Sequence, residues 1–327
     1  MKKILALLMV AVLMTAGLAG CGDKEDASSA GTAGGELKFT TGGDQGTYYG
    51  FGSVLAGQVS GSTDTKVTAI TSGGSKANIE AMEIDDAQLG FVQSDVMAYA
   101  YEGTNLFEGA AVEGFSTVAA LYMEQVQIVT CDPEIKTVAD LAGKNVSIGA
   151  PGSGVYFNAI DILGAYGMSE EDINPTYEDF GNSAESLQDG KIDAAFVVAG
   201  APTTAVTTLA TSKDVYLVSL DDEHIEKLIE ASPYYSKNVI TAGTYEGMTE
   251  DTTTVAVGAV VIARDDVSED DVYNFVSTVF ENVETITTAH AKGGELDLEF
   301  AASVTAVPYH PGAAKYFAEK GLDVATK

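Results

Sequence analysis

Two glycine-rich segments have the residue types and spacing best suited to binding chemistry in this chain. The first reads TGGDQGTYYGFG at residues 41–52, and the second reads GAPGSGVY at residues 149–156. Each follows a predicted strand and precedes a predicted helix. A helix that begins after a glycine turn presents backbone N–H groups without helical acceptors, together with the positive end of the helix dipole. The two segments therefore predict a site for an anionic group.

Side-chain cations contribute little to this predicted site. Arg264 is the only arginine of the chain, and we expect it to be a surface partner of the adjacent Asp265 and Asp266. Because the two-pronged arginine contact is missing, backbone N–H groups and hydroxyls near the helix starts would have to hold a carboxylate. The candidate hydroxyl donors and aromatic walls are Thr47, Ser75, Ser94, Ser153, Tyr48, Tyr49, Tyr122 and Tyr156.

The composition argues against several classes of function. The chain has 17 basic and 48 acidic residues and a formal net charge of −31, so it repels the phosphates of nucleic acids and no nucleic-acid partner is expected. The cysteines and histidines lack the spacing of zinc ligands, and we expect the histidines to be surface or packing residues. No metal and no cofactor are therefore predicted.

The sequence contains partial matches to catalytic motifs, and the matches are incomplete. The segment AGKN at residues 142–145 lacks the final Ser or Thr of a phosphate-binding loop. The segment GSG at residues 152–154 lacks the spacing of a nucleophile elbow. No histidine has an evident serine or cysteine partner. The chain is therefore predicted not to be an enzyme.

The N-terminal residues predict export and anchoring. Lys2 and Lys3 precede an apolar core of about ten residues, Ile4 to Leu13, which is typical of a secretory signal. The apolar run from Ile4 to Leu18, roughly 15 residues, is short for a membrane span. The run ends in LAGC, which resembles a bacterial lipobox that would lipidate Cys21; the alternative is an ordinary signal peptide that happens to contain a cysteine. Residues 22–36 are rich in Gly, Ala, Ser and Asp and predict a flexible tether.

Strands and helices are predicted to alternate in two similar blocks, which favours two α/β lobes with largely parallel sheets. In the first block we expect strands at 37–40, 66–71 and 88–93 and helices at 48–59, 75–83 and 95–102. In the second block we expect a strand, glycine loop and helix across 145–163, a helix capped by Asn182 and Glu185, a strand at 192–200, a helix beginning at Pro202 and a strand at 215–220.

The last third of the chain is predicted to return to the first lobe. Apolar residues at helical spacing from Val272 to Ile286 predict a single helix packed on the core. Long strands near residues 124–130 and 255–263 are expected to cross between the lobes. The predicted organisation is lobe 1 at 37–126, lobe 2 at 127–254 and the return to lobe 1 at 255–327, with a hinge and a ligand cleft between the lobes.

Six segments taken together resemble the TAXI family, the extracytoplasmic solute receptors of TRAP transporters. They occur in the order typical of that family and read TGGDQGTYYGFG, TSGGSKANI, GFVQSDV, LYMEQVQIV, TVADLAGKNVSIGAPGSG and DAAFVVAGAP. The resemblance implies a two-lobed type II periplasmic-binding-protein fold. It also implies capture of a small carboxylate such as glutamate, glutamine or 2-oxoglutarate, and delivery to a TRAP permease driven by an ion gradient.

The resemblance also implies which residues face the ligand. Carried over onto the matching segments of this sequence, they are Gly46, Thr47, Tyr48, Ser75, Asn78, Gln93, Ser94, Gly152, Ser153, Gly154, Ala199 and Gly200, with Tyr122 and Gln125 near the first crossing strand. Cys131 departs from the family pattern, in which a polar or charged residue is usual, and we expect it at a half-buried strand end.

Two other functions remain open at this point. A receptor subunit could bind the same solute and signal to a kinase rather than deliver the solute to a permease. A lipoprotein enzyme could use a pair of carboxyl groups in the cleft. A neighbouring permease or sensor-kinase gene would separate the transport and signalling alternatives, and product formed from a bound metabolite would favour the enzyme.

Overall fold

The computed structural model describes residues 35–327. The predicted signal peptide at 1–21, its predicted lipidation site Cys21, and nearly all of the predicted linker at 22–36 lie outside the described residues. Among the helices of residues 35–327, none combines the length and the apolar character needed to cross a membrane.

Ten strands form the sheet of the described residues. They are β1 Glu36–Thr40, β2 Lys66–Ile70, β3 Leu89–Gln93, β4 Phe115–Thr130, β5 Asn145–Ser147, β6 Asn174–Thr176, β7 Ala194–Ala199, β8 Tyr216–Leu217, β9 Ser236–Ile240 and β10 Thr252–Arg264. The strands predicted in the first block are therefore confirmed to within a residue or so.

Helices connect and cover these strands. They are α1 Thr47–Ser62, α2 Ser75–Glu83, α3 Ser94–Glu102, α4 Val155–Ala165, α5 Phe180–Gln188, α6 Thr204–Ala210, α7 Asp222–Ala231, α8 Glu269–Glu281, α9 Val283–Ala289, α10 Leu298–Ala301 and α11 Pro311–Glu319. A short 3₁₀ segment at Ala291–Glu295 follows α9 and matters for the site below.

The sheet has an internal symmetry that corresponds to the two predicted blocks. Its strand order is β2-β1-β3-β10-β4-β7-β5-β6, with β8 added to β4 and β9 added to β10. The outer trios β2-β1-β3 and β6-β5-β7 are each parallel, and each ends on an antiparallel partner, β10 for the first trio and β4 for the second. We call the first trio with α1–α3 lobe 1, and the second trio with α4–α6 lobe 2.

Two long strands connect the lobes. The first part of β4, from Phe115 to Gln125, pairs with β10, and the last part, Gln125 to Thr130, pairs with β7 of lobe 2. The expected crossing strand at 124–130 therefore begins nine residues earlier than predicted. Two register shifts between β4 and β10 add local twist to the pair, as bulges do.

Separate apolar cores fill the two lobes. The predicted stripe on α8 packs into the core of lobe 1 through Val272, Phe275, Val276 and Val279. The prediction of one helix as far as Ile286 was wrong. Helix α8 ends before Asn282, whose side-chain amide donates to the carbonyl of Thr278. This bond takes the place of the backbone N–H bond that a continuous helix would make to that carbonyl.

Three further boundaries differ from the sequence expectation, each for a local reason. Helix α5 is capped by Asp179, which accepts from the Asn182 N–H, and not by Asn182 itself. Helix α6 begins at Thr204 and not at Pro202, because the intervening Thr203 has an extended backbone. Strand β8 is shorter than predicted and consists of the two residues Tyr216 and Leu217, which pair with β4.

Candidate functional site

A partly enclosed cavity lies between the lobes, where the carboxyl ends of the parallel strands meet. It has a volume of about 200 Å³ and is lined from lobe 1, lobe 2 and the crossing strand β4. This is below the roughly 300–1,000 Å³ of pockets for drug-sized ligands, so the cavity suits a small metabolite. Open α/β sheets bind ligands at this edge.

Three long helices begin at the cavity without a side-chain cap. Their N-cap residues are Gly46 for α1, Gly74 for α2 and Gly154 for α4, and no side chain of residues 35–327 caps them. Helices farther away, such as α7 and α8, are capped by Asp221 and Ser268. The ends without side-chain caps present first-turn N–H groups and partial positive charge to the same space.

Hydrogen bonds between the lobes enclose the cavity. The backbone N–H of Ala77 on α2 donates to the carbonyl of Gly152 at 3.0 Å. The hydroxyl of Thr47 on α1 donates to the carbonyl of Gly200 beyond β7, also at 3.0 Å. The ring of Phe180 lies against Gly46, at 3.4 Å from where a β-carbon would be. The structure is therefore a closed form in which the rims of both lobes touch.

Ser153 offers an unpaired hydroxyl at the start of α4. The residue is 8% exposed and lines the cavity, and its Oγ has no hydrogen-bond partner among residues 35–327. A buried hydroxyl without a partner destabilises the protein unless something else satisfies it. A ligand held at the three helix starts would supply that partner.

Glu124 places a carboxyl group at the cavity. It lies on β4 and is 2% exposed, and its Oε2 accepts a 2.6 Å hydrogen bond from the phenol of Tyr48 on α1. Burial raises the pKa of Glu124 to about 8; the Tyr48 hydrogen bond and Lys292 lower it, and Asp95 raises it. The pKa of Tyr48 is raised by burial and by Glu124, so the phenol is the donor of this pair.

A second buried carboxyl joins the lobes behind the cavity. Asp95 at the start of α3 accepts a 2.8 Å hydrogen bond from the side-chain amide of Asn158 on α4. The same amide donates to Tyr235, whose phenol donates to Asp161 at 2.9 Å. Gln93 donates to the Asn158 carbonyl oxygen. Burial raises the pKa of Asp95 to about 7, so the network is sensitive to pH near neutrality.

The described residues offer neither a metal site nor a free arginine for a ligand. No cluster of three or more His, Cys, Asp or Glu side chains with metal-binding geometry occurs within 35–327. Arg264 pairs with Asp85 at 2.8 Å and with Asp266, as its predicted surface role requires, although Asp85 rather than Asp265 is the second partner. Backbone and hydroxyl donors are thus the main anion-binding groups at the cavity.

Comparison with known proteins identifies the family. The model of the NMT1-like family matches residues 39–321, which is most of the chain. The chain belongs to the NMT1-like family. It is also similar to a solved structure from Bordetella bronchiseptica RB50, with a TM-score of 0.53, 14% identity, and coverage of 86% of this chain and 88% of that chain.

Two further similar structures have names that state a function. One is the periplasmic aliphatic sulphonate binding protein SsuA from Escherichia coli, with TM-score 0.46, 17% identity and coverage of 87% and 90%. Another is an amino acid ABC transporter substrate-binding protein from Streptococcus pneumoniae bound to L-arginine, with TM-score 0.49, 12% identity and coverage of 80% and 95%. The predicted α/β fold class is confirmed, with two parallel trios of strands and two long antiparallel strands between them.

The cavity of this NMT1-like protein brings together part of the predicted residue set. Those that line it are Gly46, Thr47, Tyr48, Ser75, Gln93, Ser153, Gly154 and Ala199. All eight lie at or beside a helix start, or at the end of β7, so the predicted pairing of two glycine segments across a cleft matches the observed geometry.

The other predicted residues lie next to the lining and support it. Asn78 donates to the carbonyls of Thr41 and Phe91, both at 2.7 Å. Ser94 accepts from the Gly258 N–H, and Gln125 accepts from the Ala201 N–H. These contacts fix the loops and strands that carry the cavity wall.

Three more of the predicted residues lie behind the residues that line the cavity. Tyr122 packs edge-on against Phe51, under the ammonium group of Lys292. Gly152 and Gly200 contribute the carbonyls that accept from lobe 1. Cys131 is half-buried just past the end of β4, as expected.

Sequence reasoning did not select several residues of the wall. Among them are Glu124 on β4, and Asp179 and Phe180 at the start of α5. Glu124 had an available signal, because it is the only charged residue of β4. Phe180 had none, because its position against Gly46 depends on how the lobes close.

Proposed function

We propose that this chain is an extracytoplasmic solute-binding protein that closes its lobes around a small solute bearing a carboxylate. The observation that carries the proposal is the convergence of three glycine helix starts without side-chain caps, at Gly46, Gly74 and Gly154, on one cavity. Such helix ends bind anions through N–H groups and the helix dipole. The cavity volume, about 200 Å³, limits the solute to a small metabolite.

The electrostatics of the site favour local capture of the anion. With a formal net charge of −31, the protein as a whole does not steer anions to the cleft. Attraction therefore has to come from the helix starts themselves, supplemented by the hydroxyl of Ser153. A site partly enclosed by protein has a lower effective dielectric constant than bulk water, which strengthens these contacts.

We place the hinge of this closure where both crossing strands change partners. On β4 the change falls at Gln125, which pairs with Ala256 of β10 and with Ala199 of β7. On β10 it falls between Ala256, the last residue paired with β9, and Ala259, the first residue paired with β3. These points support the proposed division at 37–126, 127–254 and 255–327.

We propose further that the protein is a lipoprotein of the TAXI type that serves a TRAP permease. The six sequence segments support the TAXI assignment, and the LAGC segment supports lipidation at Cys21 and a location on the outer face of the cytoplasmic membrane. The solutes expected from the resemblance are glutamate, glutamine and 2-oxoglutarate. Uptake of such a solute into vesicles holding the permease, dependent on an ion gradient and on this protein, would test the partner.

Thermal unfolding of residues 22–327 against a solute panel tests the binding function. The panel holds amino acids, dicarboxylates and keto acids, with glucose as a solute that lacks a carboxylate. The chain has no tryptophan, so the readout is calorimetric or uses a dye. A solute at 100 times its Kd adds about 2.7 kcal/mol and raises Tm by about 5–10 °C. No shift with any carboxylate, or an equal shift with glucose, would contradict the proposal.

A further inference from the structure

One oxygen of the Glu124 carboxyl group is left for something outside the protein. Its Oε2 accepts from the Tyr48 phenol, whereas no side chain or backbone N–H of residues 35–327 donates to Oε1. Glu124 also lines the cavity, and Oε1 is not among the fully enclosed polar atoms of the described chain. The open side of the carboxyl group is therefore the cavity side.

The one cation among the charged and titratable groups around Glu124 is Lys292, which lowers the pKa of Glu124 and is itself paired with Glu295. Tyr48 faces it from α1, Tyr122 from its own strand and Asp95 from α3, and none of these is a cation. From the 291–295 segment, Lys292 and Glu295 face it as a pair, with Nζ 2.5 Å from the Glu295 carboxyl. The neighbouring residues of β10 and β7, Val257 and Ala199, are apolar.

A buried carboxyl group in this position has two low-energy states. It can be protonated, or it can be ionised beside a cation that enters the cavity. The helix starts on the same small cavity hold an anionic group, so one molecule would present both charges. A carboxylate with a neighbouring ammonium group meets both demands.

We propose that Glu124 selects solutes that carry an ammonium group beside their carboxylate, and discriminates against the corresponding keto acids. This role rests on the function proposed above, because it requires a carboxylate solute in the cavity. The helix starts bind the carboxylate, and Glu124 Oε1 accepts from the ammonium group. A keto acid offers only an oxygen acceptor at that point, so it receives a neutral hydrogen bond from the protonated carboxyl group, which is weaker than the charge-assisted bond from an ammonium group to the ionised carboxylate.

The proposed role predicts that binding of an amino acid releases a proton from the protein. Burial raises the pKa of Glu124 to about 8 without solute, so the carboxyl group is mostly protonated at pH 7. An ammonium group favours the ionised form, and binding then releases a proton. Affinity for an amino acid therefore rises with pH up to about pH 8 and levels off above it. A keto acid binds without proton release.

Titration calorimetry at pH 7, repeated in buffers with different ionisation enthalpies, measures this exchange directly. The probes are two matched pairs, L-glutamate with 2-oxoglutarate and L-alanine with pyruvate. We expect the wild-type protein to bind the better amino acid at least tenfold more tightly than its keto acid and to release close to one proton. Glu124→Gln should still bind, but without the preference and without the proton release.

A matched control variant and measurements on the wild-type protein alone complete the test. Glu226→Gln makes the same change on an exposed residue of α7 and should keep both properties. If Glu124→Gln does not fold, the number of protons that the wild-type protein releases on binding, and the pH dependence of its affinity, still test the proposal. A keto acid preference, or proton release that persists in Glu124→Gln, would overturn the role of Glu124 and leave carboxylate binding in place. Binding of neither pair by the folded wild-type protein would overturn both.

Discussion

Gly154 of lobe 2 leaves no room for a side chain beside Gln93 of lobe 1. A β-carbon at position 154 would overlap the Gln93 Oε1 atom and would lie 2.9 Å from the Ser75 hydroxyl oxygen. The backbone of Gly154 is nevertheless in the ordinary helical region, at φ −71° and ψ −22°, which alanine adopts without strain. The glycine is therefore needed for the approach of the two lobes and not for the shape of its own loop.

Gly154→Ala should weaken solute binding about tenfold or more while leaving each lobe folded. The added methyl group lies between the lobes, so it opposes the closed form that holds the solute. The measurement is Kd by calorimetry, with Tm of the free protein as the check on folding. Gly164→Ala is the control, because it lies on the same helix with open space around the added carbon. Equal Kd values for the two variants would contradict this reading.

Ser153→Ala should lower affinity about threefold to tenfold and should not destabilise the free protein. The Ser153 hydroxyl is buried without a partner, so its removal costs the empty protein no hydrogen bond, whereas the bound solute loses one worth about 0.5–1.5 kcal/mol. Kd and the Tm of the free protein are measured together. A variant with unchanged Kd and a lowered Tm would assign the hydroxyl to the fold and not to the solute.

Asp95→Asn should flatten the dependence of stability on pH. The pKa of Asp95 rises from 3.8 to about 7 in the folded protein, so between these values the folded state binds more protons than the unfolded chain. Its contribution to stability is present below about pH 4 and is lost as pH rises towards 7. The free energy of unfolding should therefore fall less steeply with pH in the variant, and above pH 7 the variant should be the more stable protein.

Denaturant unfolding between pH 4 and pH 8 measures this effect. Asp323→Asn serves as the matched control, because Asp323 is exposed near the C-terminus and should keep the wild-type slope. Identical slopes for Asp95→Asn and the wild type would show that Asp95 is ionised in the folded protein at all these pH values.

Lobe closure should be visible in solution. The contacts of Thr47 with Gly200 and of Ala77 with Gly152 join the two lobes. A solute held by the helix starts of both lobes would add further contacts between them, so we expect a more open average shape without solute. Small-angle scattering should give a smaller radius of gyration when a solute that raises Tm is added. An unchanged radius with such a solute would contradict the hinge model.

The local parts of the fold and site were accessible from the sequence. Glycine segments at 41–52 and 149–156, followed by apolar periodicity, were enough to place the starts of α1 and α4 at the cleft. The apolar spacing that begins at Val272 was likewise enough to predict a helix in the region of α8. Each of these features depends on residues a few positions apart, where capping and periodicity act.

The residues that sequence reasoning missed depend on distant parts of the chain. Glu124 and Gln125 are neighbours on β4, yet Glu124 faces the cavity and Gln125 binds the loop after β7. Which of the two faces inward depends on the register of β4 against β7 and β10, and on two register shifts that no local pattern reveals. Asp179 and Phe180 reach the cavity only through closure of lobe 2 on lobe 1.

A crystal structure of the protein with a bound solute identified by the thermal panel tests the central claim most directly. The account predicts one carboxylate of the solute in the cavity, with its oxygens about 2.7–3.2 Å from backbone nitrogens in the first turns of α1, α2 or α4. A solute carboxylate held instead by lysine side chains, or bound outside the space between Gly46, Gly74 and Gly154, would contradict it.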